Sequence, residues 1–224
     1  MKHRVPDSTA PLSLDSPATL PQPLRRSLVA GSLLLAAPAV WRGALAKEPL
    51  RLTPSQTEGP FYPVTLPADT DNDLLEQGSR RYQHGLPVWL DGVVLDMKGR
   101  ALAGGIVEIW QCDHSGHYHH PGDGGRADAD FQGFGRTEVA ADGTFRFRTI
   151  RPVAYSGRTP HIHVKVKLGT RELLTTQLYV AGDPGNERDG LWRRLSAAER
   201  AALTLPYSAG ADGLRARCSL VVQG

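Results

Sequence analysis

Residues 161–180 read HIHVKVKLGTRELLTTQLYV, and this stretch decides the fold. From His161 to Leu168 the apolar residues Ile, Val, Val and Leu alternate with His, His, Lys and Lys, which is the period of a β-strand with one buried face. Leu173–Val180 is a second strand-like run, and Gly169-Thr170 provides a turn between the two. The stretch therefore predicts two paired antiparallel strands.

The same two-residue period recurs on both sides of this pair, between short turn signals such as Asp142-Gly143. The further predicted strands are Val88–Met97, Gly105–Gln111, Thr144–Ile150 and Arg215–Val222. Helix is scarce, and its clear start signal is the capping box Ser196-Ala197-Ala198-Glu199, which opens a short helix ending near Leu203. This pattern predicts a mainly β fold: an antiparallel β-sandwich with long loops and one or two short helices.

The segment before the first long strand is rich in proline. Proline excludes long helices and interior strands, so residues 47–87 are predicted to form an irregular N-terminal arm. The prolines concerned are Pro49, Pro54, Pro60, Pro63 and Pro67. Residues 88–224 are then predicted to form the β-sandwich domain.

Residues 1–46 have the features of an export signal. Arg25-Arg26 precede an apolar run from Leu28 to Val40, and Ala44-Leu45-Ala46 is an A-x-A cleavage signature. A helix of that length is too short to span about 30 Å of hydrocarbon. The paired arginines indicate a twin-arginine signal, with an ordinary secretory signal as the alternative. We expect use of the twin-arginine export machinery, a periplasmic or extracellular bacterial location, and no stable membrane insertion after cleavage.

The excess positive charge of the chain belongs to this leader. The formal charge is +3 and the pI about 9.0. The leader holds five of the 26 basic and two of the 23 acidic residues, which leaves 21 of each from Lys47 onward. Because no Lys/Arg-rich run or nucleic-acid motif follows, we expect no nucleic-acid partner.

Two cysteines, Cys112 and Cys218, exclude a disulfide-rich scaffold and a Cys-rich metal site. Whether they pair with each other is left open by the sequence.

Two histidines at the start of the predicted hairpin suggest metal binding. His161 and His163 are two residues apart on a strand, so their side chains project from the same face and both can reach one ion. An H-x-H pair alone also fits paired or surface histidines. Tyr118 lies in a histidine-rich loop with His117, His119 and His120, whose roles are left open. Nucleophile-elbow, phosphate-loop, dinucleotide and H-E-x-x-H motifs are absent from the sequence.

Taken together, these residues resemble the intradiol ring-cleavage dioxygenases, the family of protocatechuate and catechol dioxygenases. The resemblance covers about residues 55–185, and the order Tyr…Tyr…Arg…His-x-His is its specific part. The matching phrases are Thr57-Glu58-Gly59-Pro60-Phe61-Tyr62, Leu90–Val94, Val107–Gln111, Gly116–Tyr118, Gly133–Thr137, Phe147–Ile150, Tyr155 and Gly157–His163. The chain looks most like the protocatechuate side of the family.

The resemblance implies a mononuclear non-haem Fe(III) held by Tyr118, Tyr155, His161 and His163. It implies a catechol-type substrate, a small aromatic diol, that is opened with O2 to a muconate-type dicarboxylate. Tyr155 is then the ligand that substrate displaces and a base for a catechol proton. Arg158 stabilises negative charge on the ring, and Gln177 lies near a substrate oxygen.

The sequence departs from the family in two places. Only five residues separate Tyr155 from His161, and Val153-Ala154 stands where the family has Pro-Gly. The short arm also argues against the catechol-dioxygenase style of dimer, while a homo-oligomer of another kind stays open. The alternatives to the dioxygenase are a non-catalytic metal- or ligand-binding β-sandwich module of the periplasm, and an enzyme that binds Cu or Zn through the H-x-H pair.

Overall fold

The computed structural model describes residues 50–224, and the predicted export signal lies outside them. The strands of this part are β1 (Glu76–Gln77), β2 (Arg80–Arg81), β3 (Pro87–Asp96), β4 (Ile106–Trp110), β5 (Phe134–Glu138), β6 (Thr144–Ile150), β7 (His161–Leu168), β8 (Arg171–Val180), β9 (Thr204–Leu205), β10 (Ser208–Gly210) and β11 (Gly213–Val222). The helices are α1 (Gly190–Arg194) and α2 (Ala197–Leu203), and single 3₁₀ turns occur at Pro121–Asp123 and Asn186–Arg188.

The long strands form two sheets that enclose one core. One sheet has the strand order β10-β11-β3-β6 and the other β5-β4-β7-β8-β9. The predicted hairpin is present, because β7 pairs with β8 in antiparallel fashion and His163 lies opposite Gln177. The inner faces are apolar at alternate positions, with Ile162, Val164 and Val166 of β7 buried against the other sheet's residues. The mainly β sandwich with short helices is therefore what the structure has.

Two strand pairs in the sandwich are parallel, which the alternation of residues did not reveal. β11 runs parallel to β3, with Cys218 opposite Gly92, and β9 runs parallel to β8. Parallel neighbours need a long crossover. The chain between β3 and β11 supplies one, because it builds most of the other sheet before returning.

The arm covers the outer face of the five-stranded sheet. Gln56 donates its backbone N–H to the carbonyl of Thr175 on β8 (2.9 Å), and the side chain of Gln177 donates to the carbonyl of Thr57 (2.9 Å). The carboxylate of Glu58 accepts a hydrogen bond from Lys165 of β7. Because of this cover, β7 is buried on both faces, and the polar side of its alternating pattern becomes an enclosed pocket rather than a solvent-facing surface.

The predicted capping box and the cysteines have definite positions. Ser196 Oγ accepts from the backbone N–H of Glu199 (3.3 Å), and the Glu199 carboxylate accepts from the N–H of Ser196 (2.8 Å), so α2 begins as expected. Cys112 and Cys218 are both buried free thiols, and they lie in different hydrophobic clusters. Within residues 50–224, each helix is too short or too polar to cross a bilayer.

Candidate metal centre

Four of the predicted side chains meet at the start of β7. His161 and His163 come from the strand itself, Tyr155 from the loop before it, and Tyr118 from the loop after β4. Nε2 of His161 lies 3.2 Å from Nε2 of His163 and 3.5 Å from the hydroxyl oxygen of Tyr155. The rings of Tyr118 and Tyr155 pack edge to face with centroids 4.9 Å apart. The two nitrogens and the two phenol oxygens therefore share one pocket.

The protonation of His161 is set by the backbone. Its Nδ1 lies 2.6 Å from the carbonyl oxygen of Thr159, so Nδ1 carries the proton and Nε2 presents its lone pair to the pocket. Burial lowers the pKa of His161 to about 4, and the Arg158 guanidinium adds to this effect. Burial also holds the pKa of His163 well below its ordinary value. Both rings are neutral at neutral pH, which is the state that binds metal ions.

The buried atoms of the pocket leave hydrogen-bonding capacity unused. The Tyr118 hydroxyl and His163 Nδ1 are buried and have no partner among residues 50–224. Unpaired buried polar groups are costly and rare. Burial raises the pKa of Tyr118 well above its ordinary value and raises that of Tyr155 as well, so the phenols stay protonated without a cation nearby. A bound cation would offset that cost at the Tyr118 oxygen and would lower the pKa of both phenols.

The donor set fits a ferric ion. Two ligands that bind one ion at about 2.1 Å and at right angles lie about 3 Å apart, close to the separation of the two Nε2 atoms. Imidazole nitrogen suits iron, and phenolate oxygen is a hard anionic donor that favours the ferric state. The thiol of the nearby Cys112 is directed at the carbonyl of Val153, and burial raises its pKa to about 12.

Aromatic stacking fixes the orientation of the pocket side chains. Trp110, at the end of β4, stacks on His163 with centroids 4.7 Å apart and an angle of 9°. Phe61 of the arm stacks on Tyr118 with centroids 4.7 Å apart. Tyr62, the next residue, packs edge-on against Trp110. The arm and β4 therefore hold one histidine and one tyrosine in place before any ligand arrives.

Arg158 and Gln177 lie together beside the four donors. Arg158 Nη2 donates to the side-chain carbonyl of Gln177 (2.6 Å), and Arg158 Nε donates to the carboxylate of Asp189 (2.7 Å). Burial alone would disfavour the Asp189 carboxylate, yet hydrogen bonds from Arg158 and the backbone hold its pKa below the usual range. A fixed positive charge therefore lies next to Tyr155.

The three histidines around Tyr118 stabilise their own loop. His117 Nδ1 contacts Asp123, whose carboxylate also accepts the backbone N–H of Tyr118 (2.8 Å). The ring of His119 contacts the carbonyl of Phe131 (2.6 Å), and that of His120 accepts from the N–H of Gly122 (2.9 Å). In residues 50–224 none of the three makes a hydrogen bond to the four donor side chains. Their contacts position the backbone that carries Tyr118.

Sequence reasoning missed three residues of this site. Phe61 and Trp110 lay inside phrases that carried the family resemblance, but their stacking on Tyr118 and His163 depends on contacts distant in sequence. Asp189 precedes a glycine, and an Asp-Gly pair predicts a turn rather than a functional site. Its position before Leu191 and Trp192 could have marked it as a helix cap.

Two cavities flank the donors. One of about 250 Å³ is lined by Phe61, Trp110 and Tyr118, and one of about 320 Å³ is lined by Tyr155 and Arg158. Larger clefts of about 650 and 680 Å³ lie elsewhere on the described residues, away from the four donors. Space for a small ring therefore exists beside each of the two tyrosines.

Comparison with known proteins gives an independent observation. A family model described as a dioxygenase matches residues 57–222. The chain is 32% identical over 162 residues to the protocatechuate 3,4-dioxygenase beta chain of Burkholderia cepacia, covering 66% of this chain and 68% of that protein. It is 28% identical over 174 residues to catechol 1,2-dioxygenase 1 of Acinetobacter lwoffii, covering 70% of this chain and 53% of that protein. The chain thus spans about half the length of the latter relative.

A solved structure gives the same result for the fold. The dioxygenase domain of a dioxygenase carbohydrate-binding protein fusion from Streptomyces sp. SirexAA-E superposes with a TM-score of 0.61 at 32% identity, covering 77% of this chain and 99% of that one. The predicted β-sandwich of the intradiol type is confirmed by this likeness and by the strands described above.

Proposed function

The chain belongs to the intradiol ring-cleavage dioxygenase family, and on that premise we propose that it opens the ring of a small aromatic diol with O2. The bond cleaved lies between the two oxygen-bearing carbons, and the product is a muconate-type dicarboxylate. The observation that carries the proposal is the meeting of two neutral imidazoles and two tyrosine hydroxyls in one pocket beside Arg158.

The residues that would hold the metal are Tyr118, Tyr155, His161 and His163, and the metal is a mononuclear non-haem Fe(III). When bound, the ion supplies a Lewis acid for the two substrate oxygens, which activates the ring toward O2. Two phenolates would offset two of its three positive charges, and the neutral histidines would add no charge. The site would therefore keep a net positive charge that can accept an anionic substrate.

Tyr155 is the tyrosine suited to move. It is half-buried, whereas Tyr118 is closed in by Phe61 and the loop around it. Tyr155 begins a tight turn in which Ser156 and Gly157 both have positive φ and the N–H of Arg158 donates to the Tyr155 carbonyl (2.7 Å). Such a turn allows the side chain to swing without disturbing β7. The freed phenolate oxygen then accepts a proton from a catechol hydroxyl.

Arg158 acts on the charge that this deprotonation leaves behind. Transfer of this proton to Tyr155 places negative charge on a substrate oxygen and the ring. The guanidinium is already fixed by Asp189 and Gln177, so it stabilises that charge without reorganising. Gln177 is itself held by the carbonyl of Thr57, so its role is to orient Arg158 and one side of the substrate.

The proposal is tested by oxygen uptake with iron-loaded protein over a panel of catechol, protocatechuate, hydroxyquinol and substituted catechols. One O2 consumed per ring-opened acid with at least one of them supports it. Tyr82→Phe is the matched control, because Tyr82 is buried but contacts His114 rather than the four donors. Full iron occupancy with no uptake on any diol overturns the proposal and favours a non-catalytic metal-binding module. Selective retention of copper or zinc favours the second alternative.

Export by the twin-arginine route is also part of the proposal, and it rests on the leader sequence alone. Replacing Arg25 and Arg26 with lysine should keep the full-length precursor in the cytoplasm, while Arg42→Lys should leave export unchanged. Cell fractionation and the mass of the product measure both. Equal export of the two variants contradicts the twin-arginine route. Gel filtration of the exported product gives its oligomeric state.

A further inference from the structure

We infer that Asp189 is the positioning residue for Arg158, so that this carboxylate sets the rate of ring opening without touching the substrate. The inference rests on the proposed function. Asp189 lies outside the sequence motifs on which the family resemblance was based. Three features of the structure support it. The carboxylate is buried, its two oxygens accept hydrogen bonds from different elements, and one nitrogen of the Arg158 guanidinium is left to donate to substrate.

The Asp189 carboxylate is a buried charge whose lone pairs are all engaged. Its side chain is 0% exposed. A buried carboxylate is tolerated only when it is paired and hydrogen-bonded, and four donors surround this one. The donors are Arg158 Nε (2.7 Å) and the backbone N–H groups of Thr159 (3.0 Å), Leu191 (2.9 Å) and Trp192 (3.0 Å). Such a set fixes both the position and the rotation of the group.

The two oxygens of the carboxylate serve different elements. Oδ1 accepts the N–H groups of Leu191 and Trp192 and so caps the first turn of α1. Oδ2 accepts Arg158 Nε and the N–H of Thr159. A neutral cap such as Ser or Asn satisfies the first role. The second role needs an acceptor that pairs with a guanidinium, which explains a carboxylate at this position.

The pairing also determines which part of Arg158 is available. Nε is taken by Asp189 and Nη2 by Gln177, and these two bonds fix the plane of the guanidinium. Within residues 50–224 no hydrogen bond from Nη1 is formed, so this nitrogen is the donor left for substrate. The side chain of Arg158 is 22% exposed, which leaves it reachable from the cavity that Tyr155 also lines. Without Asp189, the guanidinium could rotate about its long stem.

The test is a double-mutant cycle on the iron-loaded enzyme, with kcat and KM measured per bound iron. Asp189→Asn should lower kcat about 10–100-fold, on the scale of losing the outer hydrogen-bond partner of a metal ligand, with a smaller change in KM. Arg158→Ala should lower kcat further, and adding Asp189→Asn to it should cause no additional loss. The matched control is Ser196→Ala, which removes the cap of α2 and should leave kcat unchanged.

A readout independent of turnover accompanies the cycle. Amide hydrogen exchange of Thr159 in the iron-free protein should accelerate in Asp189→Asn and stay unchanged in Ser196→Ala, because only the first substitution removes its acceptor. If Asp189→Asn does not fold, Asp189→Glu replaces it in the cycle with the same expected non-additivity.

Three results overturn the inference. The first is an equal loss of kcat from Asp189→Asn in the wild-type and Arg158→Ala backgrounds, and the second is no loss beyond that of Ser196→Ala. The third is failure of both Asp189 variants to fold while Ser196→Ala folds, which would make the residue a structural cap. If the wild-type enzyme opens no diol, the proposed function fails first, and this outcome is separate from any of the three.

Discussion

Gly135 is the residue where a single added carbon should loosen the arm from the sandwich. A Cβ at this position would lie 2.5 Å from the backbone oxygen of Asp71 and 2.6 Å from Leu74 Cδ1, closer than such atoms approach. The Asp71 oxygen accepts from Gln132 (3.1 Å), so it cannot recede without weakening that bond. Overpacking costs about 1–3 kcal/mol and a lost hydrogen bond about 1 kcal/mol. Gly135→Ala should therefore lower the free energy of unfolding by about 2–4 kcal/mol.

The assay is reversible unfolding in urea or by heat. For a domain of this size each kcal/mol lowers the midpoint by about 2–4 °C, so a loss of about 4–16 °C is expected. Gly190→Ala is the matched control: its added Cβ meets nothing within 4 Å, and its φ is not positive. This control should be neutral or slightly stabilising. Equal midpoints for the two variants would refute the packing argument, because the same atom is added in both.

Three further predictions test the site and the thiols. Arg158→Lys should lower kcat about 100-fold, because one ammonium cannot reproduce the bonds to Asp189 and Gln177; unchanged kcat would remove Arg158 from the mechanism. Phe61→Ala should raise KM about 2–10-fold through the lost stack on Tyr118, whereas Val64→Ala, 74% exposed, should not. Thiol titration should detect no rapidly reacting cysteine in the native chain and two in denaturant; none in denaturant would indicate a disulfide.

The strands were predictable because residue alternation is a local property. His161–Leu168 and Thr144–Ile150 have the same bounds in the structure as in the sequence prediction. β5 was missed, because Gly133 and Gly135 interrupt its pattern, and the reason for Gly135 is the close approach of the arm. The parallel direction of β11 against β3 was also unpredictable, since alternation states which face is buried and not which strand is the neighbour.

The metal-binding residues were predictable where the ligands lie close together in the sequence. The spacing of His161 and His163 places both rings on one face of a strand, and the structure brings Tyr118 and Tyr155 to them. Asp189 could not be found this way, because its partner Arg158 is distant in sequence and only the folded chain joins them. The burial of the two histidines could not be predicted from the sequence either, because it depends on the arm covering the outer face of the sheet.

The most direct test of the central claim is the visible absorption spectrum of the purified protein loaded with Fe(III). One iron per chain and a wine-red colour from tyrosinate-to-iron charge transfer are expected. Tyr118→Phe and Tyr155→Phe should each change the band, while Tyr82→Phe should leave it as in the wild type. Colourless protein at full iron occupancy, or a band insensitive to both tyrosine substitutions, would contradict a ferric site built from Tyr118, Tyr155, His161 and His163.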